Sequence, residues 1–152
     1  MTENKNTNAI PKSELLKLDN QLCFALYVTS KEIIKRYKPL LKPYDLTYTG
    51  YITMMALWEM DKINVKDLGE RLYLDSGTLT PLLKKLEGKG LIERIRSAKD
   101  ERNVYIHLTE KGHAMQEDAL EIPKSLICSL DLGNVDGKAL LQTLHEIMPK
   151  LS

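Results

Sequence analysis

Apolar residues recur three and four apart along most of this chain, which predicts amphipathic helices, while one stretch alternates and predicts strands. Ser13 reads as the N-cap of a first long helix reaching about Leu41, with Leu15, Leu18, Leu22, Leu26, Ile33, Ile34, Leu40 and Leu41 as apolar positions. These spread beyond one narrow stripe, so the helix is expected to bury two faces before Pro43 ends it. Thr47 or Thr49 starts a second helix, rich in large apolar residues, through Trp58. Ile63 and Val65 read as a short extended piece, and Lys66 to Tyr73 as a third helix with Leu68 and Leu72 inward. Asp75-Ser76 caps a fourth helix, which Gly88 and Gly90 punctuate. Leu91–Arg96 and Asn103–Leu108 read as the strands of a β-hairpin, joined by a charged loop. Thr109 caps a fifth helix to about Cys128, kinked or split by Pro123, and Gly133-Asn134 turns the chain into a last amphipathic helix. The expected fold is mostly α with a small β-hairpin wing: a winged helix-turn-helix.

At 152 residues, 43% hydrophobic and 28% charged, the composition is that of a globular domain. No apolar run reaches the ~18 residues of a membrane span, and the polar start lacks a signal-peptide core, so a cytosolic protein is expected. His107, His113 and His145 do not cluster with Cys23 and Cys128 at ligand spacing, so neither a metal nor a cofactor is expected. Net charge is only +1, but its distribution is uneven. Ser76–Tyr105 holds seven basic against four acidic residues, a local footprint of the kind phosphate binding needs, while Leu108–Ser152 holds four against seven. Solvated charge on a helical surface is the competing reading.

Val65–Leu91 fits a short helix, a tight turn and a second helix locked by Leu68, Leu72, Leu79, Leu82, Leu83 and Leu86. Small polar residues open the second helix: Ser76, Gly77, Thr78 and Thr80. They suit close approach to base edges and phosphates. Lys84 and Lys85 follow within reach of a DNA backbone. Pro81, too deep in the helix for its missing N–H to be free of cost, is a local distortion or a groove contact. On the hairpin, Arg96 and Arg102 supply cations, and Arg102 at the tip suits a narrow minor groove with Asp100 fixing its direction. A plain surface ion pair is the alternative for Asp100 and Arg102.

Two readings of Cys23 stand at this point. A lone cysteine on an apolar helix serves as a small buried hydrophobe. Alternatively, Tyr27, one turn on, and then Ser30, Ile34 and Tyr37 share its face, and a tyrosine hydroxyl donating to a thiolate favours the form that attacks peroxide. Tyr37 is fourteen residues from Cys23, ~21 Å along a straight helix, so only a second subunit brings it near.

The stretch DERNVYIHLTEKG (Asp100–Gly112) resembles the wing and following helix start of the MarR family of dimeric repressors. LGERLYLDSGTLTPLLKKLE (Leu68–Glu87) and LDNQLCFALY (Leu18–Tyr27) resemble its organic hydroperoxide resistance regulators more specifically. The resemblance runs from about Leu16 to Gly112 and is weaker beyond. It implies a reactive cysteine held by tyrosines, some from across the dimer, matching Cys23, Tyr27, Tyr37 and Tyr48 here. Tyr44 and Tyr51 have no such match and read as structural. In one subgroup a cysteine near the C-terminus resolves the sulfenic acid as an intersubunit disulfide, and Cys128 lies where that residue would be; a passive buried thiol is its alternative.

The expected organisation is a disordered arm over 1–12 and one domain over 13–152, with dimerisation helices 13–45 and 110–152 around a winged helix-turn-helix at 47–109. The expected function is a non-enzymatic, homodimeric repressor on a pseudo-palindromic double-stranded DNA operator, released when an organic hydroperoxide oxidises Cys23. The rivals are a repressor answering another oxidant, a quinone or a phenolic ligand, and, in another class, a thiol peroxidase. The peroxidase lacks support from any thioredoxin-like βαβ pattern.

Overall fold

The computed structural model describes residues 11–151, so the expected N-terminal arm, apart from Pro11 and Lys12, lies outside the described residues. The chain divides into two units between Arg36 and Tyr37.

The first unit corrects the expected start of the long helix. Helix α1 runs Leu22–Leu41, preceded by 3-10 turns at Lys12–Glu14 and Leu18–Asn20, so Ser13 is not its cap. The reason lies in side-chain amides that compete for carbonyls a helix would use. Gln21 Nε2 donates to the carbonyls of Leu15 (2.6 Å) and Lys17 (3.1 Å), and Asn20 Nδ2 to that of Glu14 (3.0 Å). Lys17 and Gln21 are extended, which interrupts any helix through them. No described residue up to Arg36 is buried, and Leu16 is 96% exposed. Of the apolar positions expected to be buried along this helix, Leu41 at its end is, while those described up to Arg36 are not.

In the second unit α2 (Tyr48–Glu59), α3 (Val65–Leu72), α4 (Ser76–Gly88) and α5 (Glu110–Ala119) each start where a side chain accepts an otherwise unbonded N–H. The caps are Thr47 Oγ1, Asn64, Asp75 and Thr109 in turn. Val65, expected in an extended piece, opens α3. Helix α5 stops at Ala119 and α6 (Glu121–Ser129) follows after Leu120. Ala119 is four residues before Pro123, which has no N–H to return to its carbonyl, so the predicted break falls one turn ahead of the proline. Asp136 Oδ1 accepts from Lys138 N (3.0 Å) and Ala139 N (3.1 Å) at the head of α7 (Gly137–Leu151).

The hairpin strands β2 (Ile92–Arg96) and β3 (Val104–Leu108) pair antiparallel, Ile92 opposite Leu108 and Arg96 opposite Val104. A short strand β1 (Ile63–Asn64) adds to the other side of β3, so the wing is a three-stranded sheet in the order β1-β3-β2. Beneath it, Leu57, Leu68, Leu79, Leu83, Leu86, Leu91, Ile92 and Ile106 form one buried cluster. Each such side chain contributes ~1.5–3 kcal/mol by leaving water. A second cluster packs Leu41 and Tyr51 against Ala119 and Ile122. Two close approaches join the layers. Trp58 Nε1 donates to the Gly112 carbonyl at 2.9 Å, and a Cβ on Gly112 would lie 2.1 Å from the Leu91 carbonyl oxygen. Among the described residues no helix is long and apolar enough to cross a membrane.

Candidate functional site

The turn between α3 and α4 is set by Tyr73 in the left-handed region (φ 54°), with Leu74 N bonded to the Gly69 carbonyl at 3.0 Å. Gly69 leaves the room this needs: a Cβ there would lie 3.1 Å from the Leu74 carbonyl oxygen. The chain then enters α4 through Asp75. Its Oδ1 accepts from Thr78 N (2.9 Å) and its Oδ2 from the Thr78 hydroxyl (3.0 Å). These bonds, the backbone one foremost, hold the Asp75 carboxyl below the usual carboxylate range.

Ser76, Thr78, Thr80, Pro81, Lys84 and Lys85 are all exposed on α4, whose opposite side buries Leu79, Leu82, Leu83 and Leu86. The Thr78 hydroxyl proton is engaged by Asp75, so what Thr78 offers outward is its oxygen and methyl group. Pro81 stands inside an unbroken helix, and the residue four before it is Gly77, the residue type that most easily yields to a proline ring. Gly77 also lies close under the cap: a Cβ there would meet Asp75 Oδ1 at 2.9 Å.

Arg96 is exposed at the end of β2. The wing tip closes through Ser97 N to the Asn103 carbonyl (2.8 Å) and Asn103 N to the Asp100 carbonyl (2.9 Å). Asp100 Oδ1 accepts from Arg102 N at 3.1 Å and lies 3.8 Å from its Nε, while the Arg102 side chain stays 95% exposed. Asp100 thus braces the base and Nε of a side chain whose outer guanidinium nitrogens face solvent. Arg94 does something different: its Nε and Nη2 bind Glu87 Oε2 at 2.8 and 2.7 Å, tying β2 to α4.

A cleft of about 1000 Å³ lies between α3, α4 and the wing, and Lys66, Ser76, Thr80, Arg94 and Arg102 are among its lining. Lys66 and Arg94 escaped the sequence reading, because nothing in the local pattern says that the head of α3 and the middle of β2 face one groove. The tertiary pairing of Asn64 Nδ2 with Asn103 Oδ1 (3.4 Å) holds those edges together. Chemically, exposed hydroxyls at a helix N-terminus beside cations on a wing suit a polyanion.

Cys23 and Cys128 are both free and exposed. Tyr27, on the first turns of α1, is 61% exposed, with Lys31 Nζ 5.6 Å from its ring centre. In the second unit, Tyr37 packs on Tyr48 with ring centres 4.8 Å apart, and on Tyr51 at 5.8 Å. Burial, then the neighbouring Tyr48 and Tyr51, push Tyr37 up to about 12, so it keeps its proton at any physiological pH. Tyr44, read as structural, donates its hydroxyl to the Asp118 carbonyl at 3.2 Å.

Known proteins resemble this chain over nearly all its length. The model of a family described as transcriptional regulator SarA/Rot matches residues 35–119. The organic hydroperoxide resistance transcriptional regulator of Bacillus subtilis is 46% identical over 140 residues, covering 92% of this chain and 95% of that protein. The HTH-type transcriptional regulator SarZ of Staphylococcus aureus is 50% identical over 133 residues, covering 88% and 90%. Reduced AbfR bound to DNA superposes with a TM-score of 0.76 at 34% identity, covering 93% of this chain and 98% of that one. Disulfide-formed AbfR superposes with a TM-score of 0.63 at 33% identity, covering 92% and 93%. With the winged-helix fold and these relatives together, the chain belongs to the SarA/Rot family of transcriptional regulators and, among MarR-type winged-helix proteins, to the organic hydroperoxide resistance and SarZ group.

Proposed function

We propose that this regulator is a homodimeric repressor that leaves its operator when an organic hydroperoxide oxidises Cys23, and that Cys128 of the partner subunit resolves the product. The observation that carries this reading is a mismatch of donors and acceptors. The hydroxyls of Tyr37 and Tyr48, in a packed pair, have no hydrogen-bond partner among the described residues, in a chain whose Cys23 is free and exposed. An acceptor brought by a second copy would complete them.

The exposed apolar side chains support a second copy. Leu22, Leu26 and Tyr27 on α1, and Leu140, Leu141, Ile147 and Met148 on α7, are exposed in the single chain. Patches of that kind mark association surfaces. The DNA-reading part is the head of α4, with Ser76, Thr78, Thr80 and Pro81 toward the major groove, Lys84 and Lys85 toward phosphates, and Arg96 and Arg102 on the wing toward a minor groove.

In the proposed chemistry the Cys23 thiolate attacks the outer peroxide oxygen. The O–O bond breaks, the OH group is transferred so that Cys23 becomes a sulfenic acid, and the departing alkoxide takes one proton from solvent to leave as an alcohol. The Cys128 thiol then attacks that sulfur, a disulfide forms and water departs. AbfR, known reduced on DNA and in a disulfide form, supports a cycle of this type by likeness.

The test is a DNA-shift titration with cumene hydroperoxide on wild type and Cys23→Ser. Wild type is expected to release DNA, and the serine variant, close in size but not oxidised to a sulfenic acid, to stay bound. Release by the variant would exclude Cys23 as the sensor.

A further inference from the structure

The inference here rests on the reading of Cys23 as the reacting thiol. We propose that Tyr51 is a third hydroxyl donor of the thiol site, acting beside Tyr37 and Tyr48 on the sulfur of a partner subunit's Cys23.

Tyr51 follows Tyr48 by three residues on α2, so the two share one side of that helix. Its body is deep in the protein: the residue is 3% exposed and packs with Leu41, Ala119 and Ile122. Packing alone asks for a ring, which phenylalanine would supply. The hydroxyl is another matter, since it bonds to nothing among the described residues. Among those residues no buried side-chain polar atom lacks a partner. The small part of Tyr51 that solvent reaches therefore includes its hydroxyl oxygen.

The Tyr51 ring belongs to the same cluster as the other two. Tyr37 is the shared neighbour, with ring centres 4.8 Å from Tyr48 and 5.8 Å from Tyr51. The hydroxyls are near enough to oppose one another's ionisation: Tyr48 and Tyr51 both push Tyr37 up, and Tyr48 pushes Tyr51 up, in each case after burial. Three tyrosines thus share one cluster, and none of their hydroxyls has an acceptor among the described residues. A neutral ligand with its own donors would gain little there. An anion with several lone pairs, such as a thiolate, fits the chemistry.

The test uses the full-length protein and reads the rate of Cys23 alkylation by iodoacetamide against pH, beside the rate of reaction with cumene hydroperoxide at pH 7. Tyr51→Phe keeps the ring. It is expected to melt close to wild type, to move the alkylation profile up by about one pH unit and to slow the peroxide reaction roughly tenfold, as for a lost bond to an ionised group. A wild-type profile for Tyr51→Phe, with a shifted one for Tyr37→Phe, would overturn the role of Tyr51 and leave the thiol site standing. Wild-type profiles for Tyr37→Phe, Tyr48→Phe and Tyr51→Phe alike would overturn both. Loss of the fold in Tyr51→Phe would overturn the proposal too, by showing that the hydroxyl is structural.

Discussion

Thr78 and Arg102 were both read from the sequence as DNA contacts, and local bonding leaves them with different things to offer. The hydroxyl proton of Thr78 is held by Asp75, which leaves an acceptor and a methyl group facing out. Arg102 is braced by Asp100 at its backbone N–H and, more loosely, at Nε, while its side chain stays exposed. Arg102→Ala is therefore expected to weaken operator binding by ~1–3 kcal/mol and to relax preference at the bases under the wing. Lys84→Ala should instead weaken binding to all sequences alike and reduce the salt slope by about one. Fluorescence anisotropy on operator and scrambled duplexes over a salt series separates the two. Equal loss on both duplexes for Arg102→Ala would make it a phosphate contact. Residue types and spacing single out these side chains as candidates, since helix heads and wing tips have local signatures. Tyr51 was invisible as a candidate, because a tyrosine deep on an apolar helix looks the same in sequence whether or not its hydroxyl is used.

At the scale of elements, what was legible followed from local rules and what was missed depended on distant partners. The caps at Thr47, Asp75 and Thr109 and the break near Pro123 are short-range effects, and they stand where the pattern put them. The late start of α1 comes from amide side chains bonding back to carbonyls, which hydrophobic spacing does not report. Strand β1 has only two residues and exists through its pairing with β3. Asp61 secures that corner: its Oδ1 accepts from Leu108 N and Lys62 N, both at 2.8 Å, and its Oδ2 lies 3.4 Å from His113 Nε2. Burial raises the Asp61 carboxyl, but those two bonds and the neighbouring His113 and His107 outweigh it, leaving it below its ordinary 3.8. Its folded value being the lower, the stabilisation is full above the unfolded value and is lost as pH falls through the folded one. Urea midpoints from pH 7 to pH 3 should thus fall more for wild type than for Asp61→Asn. Parallel curves would remove Asp61 from the acid response. Gly112→Ala tests the contact between α5 and the sheet. The new Cβ would meet a backbone oxygen that cannot step aside, so a loss of ~3 kcal/mol or more is expected in the same assay. A loss under ~1 kcal/mol would show that α5 shifts freely over Leu91.

For the whole molecule, the fold and the family were legible because a winged helix-turn-helix is written in short motifs, from Leu68 to Glu87 and from Asp100 to Gly112. The assembly was less so, since an apolar face at helical spacing reads the same whether it is covered by its own chain or by another. The exposed apolar positions of α1 and α7 are what the proposed second copy would cover. On non-reducing gels, oxidised wild type should then run as a covalent dimer and Cys128→Ser as a monomer, with a Cys23–Cys128 peptide found by mass spectrometry in wild type alone. A monomeric oxidised wild type would point to an external thiol as the resolving partner. The central claim, that oxidation of Cys23 itself releases DNA, is tested most directly by following both events in one sample. Anisotropy of a labelled operator reports bound DNA after addition of cumene hydroperoxide, while quenched aliquots are scored for reduced Cys23 by mass spectrometry. The expected result is DNA release that tracks the loss of reduced Cys23, with no lag ahead of it and none in Cys23→Ser. DNA release while Cys23 remains reduced would contradict it.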